Sequence, residues 1–482
     1  MLQDLDALPQ PIGEYKPVDH WQAHINDLFY RLRGDQLRNY YQTFASADYR
    51  LAHALAQDYF SRVCAREKVR SSKSEVRSPN LDPRPSNLIV HEWGPGNGNL
   101  AACFLSHLQR LDSEGRVYPR VRYVLVDTHP ATLEQAKAHP DLAPHRDRVD
   151  TLCADVANLA SVKDGTVDRI ICNELWNDLP TKLMARKEGE IEEEHLRPNL
   201  SEAKHAQITD WSGFVRAFDA KDAETLKQFP PFFEDIIWEK EYHKVEWKDT
   251  PYRKTIVEFL KQIDEQVLVP VNLGAFATLK EAKRILAPDA VGFSSFDAGA
   301  AELKVLNDPD KPCYGQFGGQ YSFMINFPLV EAVAKQLGVA SVVVEAQREF
   351  VGRSLNTNVM TLMDLLAAHP SAGKKLEPWE RDRLVIKTIR ALNETIQSPY
   401  ERKLDFPIRP ETPPEERETL QGILLALKKD GVPDTVAYLT EDELYRAIPD
   451  LEAIGYDRES IQMALEAPLS DIEYFHLFFT LK

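Results

Sequence analysis

Apolar and polar positions follow two different periods along this chain. In residues 17–66 apolar side chains recur every three to four positions: Trp21, Ile25, Leu28, Phe29 and Leu32, then Leu51, Leu55, Tyr59, Phe60 and Val63. That spacing predicts amphipathic helices. Residues 67–86 are polar, basic and rich in Pro and Ser, and read as a linker or flap. From Leu88 the pattern changes. Leu88-Ile89-Val90 runs into a Gly-rich turn, and helical spacing follows over Leu100–Leu111. Tyr123–Val126 ends in Asp127 and leads to a helix-like Ala131–His139. Val149–Cys153 leads to Asp155, and Val167–Cys172 to Asn173-Glu174. Short apolar runs that alternate with helical stretches predict βαβ units and a parallel sheet.

The rhythm breaks over 181–285. An acidic stretch (Glu188, Glu190, Glu192, Glu193, Glu194) reads as a loop and leads to the aromatics Phe232, Phe233, Trp238, Tyr242 and Trp247. Tyr252–Val267 and Leu279–Leu286 look helical, and the α/β rhythm returns with Val291–Phe296, Leu329–Leu337 and Ser341–Glu345. Residues 356–470 read as helices broken at Pro407–Pro414, and Tyr474–Leu481 as a last strand. The expected organisation is a helical N-terminal region and linker (1–84), an α/β core in two parts (85–180 and 286–355) around a substrate or lid insert (181–285), a helical region (356–470) and a final core strand (471–482).

Composition narrows the function. The 482 residues hold 58 Lys and Arg against 75 Asp and Glu, a net charge of −17. Phosphate-backbone binding is driven by clustered Lys and Arg, so nucleic acid is not the expected partner. No apolar run approaches the ~20 residues that span a bilayer. The first residues show neither a basic n-region nor an apolar h-region, so neither a signal nor a transit peptide is expected and the expected location is cytoplasmic. Five Cys without a CxxC spacing read as reduced thiols. His20 and His24 stand four apart but lack the Glu of HExxH, so no metal site is expected.

The strongest motif is His91-Glu92-Trp93-Gly94-Pro95-Gly96-Asn97-Gly98-Asn99-Leu100, set between a strand and a helix. Glycines let backbone approach a ligand closely, and the helix N-terminus offers free N–H donors. A dinucleotide fold wants G-x-G-x-x-G, whereas Gly94, Gly96 and Gly98 give G-x-G-x-G behind an acid, Glu92. A carboxylate repels a pyrophosphate but suits the ammonium group of S-adenosylmethionine. Asp127 and Asp155 close the next two strands, where the ribose hydroxyls and the adenine amino group would lie. Each alone could be a solvated loop acid; three acids at successive strand ends point to a ligand site.

This pattern resembles motif I of class I methyltransferases. Asn173-Glu174-Leu175-Trp176-Asn177-Asp178-Leu179-Pro180 resembles the N-E-x-x-D-A-L-P signature of the MidA family. Phe296-Asp297-Ala298-Gly299, Gly318-Gly319-Gln320-Tyr321-Ser322 with Asn326-Phe327, and Val344–Phe350 resemble its later segments. The resemblance spans roughly residues 85–180 and 270–355. It implies a Rossmann-like, seven-stranded, mostly parallel sheet with helical N-terminal, insert and C-terminal regions, S-adenosylmethionine as cofactor, and methylation of a protein arginine. The chain departs from the family at Asn177 (Asp), Ala298 (Tyr) and Gln320 (Asp).

Methyl transfer is an in-line displacement, in which the protein mainly positions the acceptor and excludes water. The expected cofactor residues are Glu92, Gly94, Gly96, Gly98, Asp127, Asp155 and Asn173. Glu174 and Asp178 are the expected acceptor-side residues, with Asn173 orienting. A protein substrate is the expected partner, with a homodimer as an option. Two alternatives stand beside it: an assembly protein that keeps the fold without catalysis, and a methyltransferase for a small molecule.

Overall fold

The computed structural model describes residues 9–33, 48–74, 87–317, 319–396, 398–400, 406–427, 438–467, 470 and 472–481. Two helices come first, α1 (Val18–Arg33) and α2 (Arg50–Ser74). The α/β units follow as β1 (Leu88–Trp93), α3 (Asn99–Leu111), β2 (Val121–Asp127), α4 (Pro130–Lys137), β3 (Val149–Cys153) and β4 (Arg169–Asn173). The next segment holds β5 (Lys182–Lys187), β6 (Glu190–Leu200), β7 (Ile236–Lys244) and β8 (Val269–Val271). The core resumes with α5 (Leu273–Ile285), β9 (Gly292–Ala300), α6 (Phe327–Gln336), β10 (Ser341–Ala346) and α7 (Gln347–Leu355), and ends with β11 (Glu473–Thr480).

The main sheet runs β10-β11-β9-β4-β1-β2-β3. β1 pairs in parallel with β2 and β4, and β9 in parallel with β4. Only β11 lies antiparallel to its two neighbours, β9 and β10. This is the class I methyltransferase topology. Its strands are buried on both faces, which is why they read as near-continuous apolar runs. Val90, Tyr123 and Ile171 face α2, α3 and α7, while Trp93, Ile170 and Phe293 face α5 and α6.

Several elements differ from the pattern on the sequence. The polar stretch expected as linker begins inside α2, which runs to Ser74; residues 75–86 lie outside the described residues. Lys, Arg and Glu are good helix formers; Lys68 is exposed here, and Glu67 pairs with Arg120. The acidic stretch 188–194 is not a loop. It forms the β5–β6 hairpin, with Lys187 opposite Glu190 and Met184 opposite Glu193. The insert thus combines helices with an antiparallel sheet, β8-β5-β6-β7. One face of that sheet packs on α1 through Leu196, Leu200, Trp21, Ile25 and Phe29. A separate apolar cluster around Met360, Leu392, Leu444 and Leu451 holds the C-terminal helices. No described helix is long and apolar enough to cross a membrane.

Candidate active site

The glycine turn caps β1 at the centre of the sheet. Gly94, Gly96 and Gly98 all have positive φ, at 70°, 53° and 82°. Two of them are required for different reasons. A Cβ on Gly98 would lie 2.3 Å from the carbonyl oxygen of Ala136, so α4 packs directly on the turn. A Cβ on Gly96 would meet nothing within 4 Å. The space beside Gly96 is therefore open, while Gly98 lets the neighbouring backbone approach.

Glu92 is fully buried one residue before this turn and accepts a hydrogen bond from the Tyr123 hydroxyl at 2.7 Å. No Lys or Arg among the described residues pairs with it. Burial raises its pKa to about 8, against a smaller opposing effect of the Tyr123 bond. A carboxyl left without a cation fits the ammonium group of the expected cofactor. At the end of β2, Asp127 is half-buried and uses one oxygen to accept from the His129 backbone N–H at 2.8 Å. Its other oxygen faces no described partner and remains available to a hydroxyl pair. At the end of β3, Asp155 is exposed and accepts from the Ala157 N–H at 2.8 Å.

At the end of β4 the chain turns sharply. Asn173 donates to Glu174 at 3.3 Å, while its own carbonyl oxygen is buried without a partner. Glu174 has φ 48°, a left-handed conformation unusual for a residue with a side chain. Its N–H is held by the Phe296 carbonyl at 2.7 Å, and the Tyr474 hydroxyl lies 3.4 Å from its carboxylate. The following turn is tied from β9: Asp297 accepts from the N–H of Trp176 at 2.9 Å and of Asn177 at 3.4 Å.

Asp178 lies under α1. It accepts from the Tyr30 hydroxyl at 2.5 Å and from the Gln320 amide at 2.7 Å. Burial raises its pKa to about 7, opposed by those two bonds. No described Lys or Arg meets it. Because the Gln320 NH₂ is committed to Asp178 and Tyr30, its carbonyl oxygen is the free end, and that atom is buried and unpaired. The Tyr30 ring also reaches the His129 ring, at 5.9 Å between centroids, so α1 bridges the ends of β2 and β4.

The structure thus brings Asp127, Asn173, Glu174 and Asp178 to one edge of the sheet, with Glu92 sealed beneath the turn and Asp155 at the outer end. The sequence reading missed Tyr30, Tyr123, Asp297 and Tyr474 as members of this set. Asp297 carried a signal, since it stands in one of the segments that resemble the family. Tyr30 carried none, because it reads as one more apolar position of a helix.

The aromatics of the insert mostly pack. Phe232 and Phe233 are buried, and Trp238 meets Tyr321 edge-on at 5.3 Å. Tyr242 is exposed. His24 is buried against Trp21 and Phe218, and burial lowers its pKa to about 4, which is the behaviour of a packed core imidazole.

Residues 77–291 match the model of a family described as "Putative S-adenosyl-L-methionine-dependent methyltransferase". No curated protein matches the chain. Among solved structures, one from Burkholderia thailandensis with S-adenosyl-homocysteine bound is 15% identical, covers 78% of this chain and 84% of that chain, and has a TM-score of 0.46. A native structure of an uncharacterized protein from the same organism is 14% identical, covers 78% and 83%, and has a TM-score of 0.46.

Proposed function

We propose that the chain is an S-adenosylmethionine-dependent methyltransferase whose acceptor is a cationic side chain of a polypeptide, with arginine first. Enzyme class and cofactor follow from the sheet topology and from the family match over residues 77–291. The acceptor class rests on one observation: Asp178 is half-buried beyond the end of β4 without a Lys or Arg partner among the described residues, beside an unpaired buried amide oxygen of Gln320. Buried carboxyls are ordinarily paired, and an unpaired buried acceptor costs roughly 1–3 kcal/mol. A guanidinium supplies both a positive charge and a planar set of donors. A MidA-type arginine methyltransferase is the finer reading, and Asp178 stands one residue beyond the acid of that signature.

S-adenosylmethionine, when bound, supplies an electrophilic methyl group. Gly94, Gly96 and Gly98 would shape the turn that receives it, Glu92 would supply a carboxyl toward its cation, and Asp127 and Asp155 would offer acceptors to its polar groups. Tyr30 and Gln320 fix the Asp178 carboxyl, and α1 shields that carboxyl from water. Asp178 and Glu174 then hold the acceptor's N–H groups so that a nitrogen lone pair faces the methyl carbon. With a pKa near 7, Asp178 can also take the proton that the methylated nitrogen sheds.

The test is transfer of labelled methyl from S-adenosylmethionine to peptides that contain Arg, Lys or neither. Label on Arg peptides, lost in Asp178→Asn, is the expected outcome. Label only in small molecules of a cell extract removes the polypeptide acceptor, and failure to bind S-adenosylhomocysteine removes the cofactor.

A further inference from the structure

The outer face of the insert's sheet carries a second set of chemistry-bearing side chains, which the transferase reading does not use. β6 and β7 pair antiparallel, with His195 opposite Glu241 and Glu193 opposite His243. Side chains two apart share a face, so all four stand on one side of the sheet. The alternate positions Leu196, Leu200, Ile236 and Trp238 fill the apolar side against α1. On that side His195 and Glu241 are half-buried, His243 is exposed and Glu193 is buried.

We propose that His195, Glu241 and His243 form a divalent transition-metal site of the zinc class. One ligand atom from each lies within 4.8 Å of the other two. The imidazoles of His195 and His243 are 4.3 Å apart between centroids, and His243 Nε2 is 2.5 Å from a Glu241 oxygen. Zinc bonds of about 2.0–2.1 Å in tetrahedral geometry set ligand atoms about 3.4 Å apart. No pair has to close by more than about 1.4 Å, and the His243–Glu241 pair opens by about 0.9 Å, changes within reach of side-chain rotation at a surface.

The surroundings favour a metal with nitrogen ligands. Glu193 lies behind His195, 3.9 Å from its Nε2, and is itself buried and bound by Lys182. A carboxylate beside a ligating imidazole orients the ring and raises its basicity. Two imidazoles and one carboxylate suit zinc, copper or nickel, not the oxygen-seeking magnesium and calcium. Three protein ligands leave a position for water. Bound metal would clip β7 to β6 and stiffen the sheet on which α1 rests. The sequence alone could not show this site, because the two histidines are far apart in the chain and only the strand register unites them.

Calorimetric titration of the full chain with zinc chloride tests the site. Cys153→Ser serves as the background, because that thiol is exposed and could bind zinc elsewhere. The expected result is one zinc per chain, with affinity at least tenfold weaker in His195→Ala and in the half-exposed His243→Asn. Cobalt(II) should give visible d–d absorption that these variants lose, while magnesium gives no heat. Far-ultraviolet circular dichroism verifies that the variants keep their fold. Absence of saturable zinc binding, or equal binding in the variants, overturns the proposal. Neither outcome bears on methyl transfer, which is read separately.

Discussion

Gly96 and Gly98 separate ligand binding from folding within one turn. Gly96→Val places a branched side chain in open space at φ 53°. Stability should fall by only about 1–2 kcal/mol, the usual cost of left-handed backbone, while S-adenosylhomocysteine affinity falls more than tenfold. Gly98→Ala puts a methyl against the Ala136 carbonyl and should cost about 2–5 kcal/mol by adding overpacking to backbone strain. Urea denaturation and calorimetry on both variants check the split. Glu92 gives a pH signature. Its folded pKa, about 8, lies above the ordinary carboxyl value, so the fold prefers the protonated form. That stability is complete below the ordinary value and is lost as pH rises through about 8. Wild type should therefore lose stability relative to Glu92→Gln between pH 5 and pH 8, by at most about 4 kcal/mol at 1.36 kcal/mol per unit. A cation bound beside Glu92 reverses the preference, so S-adenosylmethionine should bind more tightly at pH 7.5 than at pH 6. The glycines and strand-end acids were legible in the sequence because short-range geometry dictates them. Tyr30, Gln320 and Asp178 meet only through tertiary approach, across 142 to 290 residues of chain.

At the scale of elements, α1 covers the turn after β4 and, on the proposed reading, the acceptor side of the site. Its apolar stripe was legible, but the contacts of its polar positions were not. Gln22 donates to the carbonyls of Asn177 and Leu179 and accepts from the Thr181 N–H, gripping the turn after β4 from above. Asn26 exchanges two hydrogen bonds with the backbone of Tyr321. Buried amides with all bonds made specify one docking geometry. Tyr30→Phe should leave the fold and cofactor affinity intact and lower kcat about 10–100-fold, because it removes one bond to a carboxylate worth roughly 1.5–3 kcal/mol. A loss of cofactor binding in the same variant would count against α1 as an acceptor-side element. The hairpin at 182–200 shows the opposite failure of local reading. Alternating Glu has poor strand propensity, yet Lys182, Lys240 and Tyr242 neutralise or bind those acids across the sheet. Cross-strand pairing overrode the local signal.

Across the whole molecule, sequence order and spatial order diverge most at the C-terminus. The helical region after α7 has its own apolar cluster and is tied to α2 through buried Arg50, which meets Asp48 at 3.4 Å and Glu443 at 2.5 Å. The chain then returns to the main sheet as β11, which fills the place between β9 and β10. A strand held between two others has structural consequences out of proportion to its length. Phe293 stacks on Phe479 at 5.0 Å, and Phe296 on His476 at 4.3 Å. Arg169 of β4 donates to Ser294, and Ser294 shares a hydrogen bond with His476. Without β11, β10 loses its pairing strand, β9 keeps β4 but exposes its other edge, and Tyr474 leaves Glu174. Deleting Glu473–Lys482 should therefore abolish soluble expression, whereas Tyr474→Phe should fold normally and reduce methyl transfer while sparing cofactor affinity. Soluble, cooperative unfolding of the truncated chain would show that the sheet closes without its last strand.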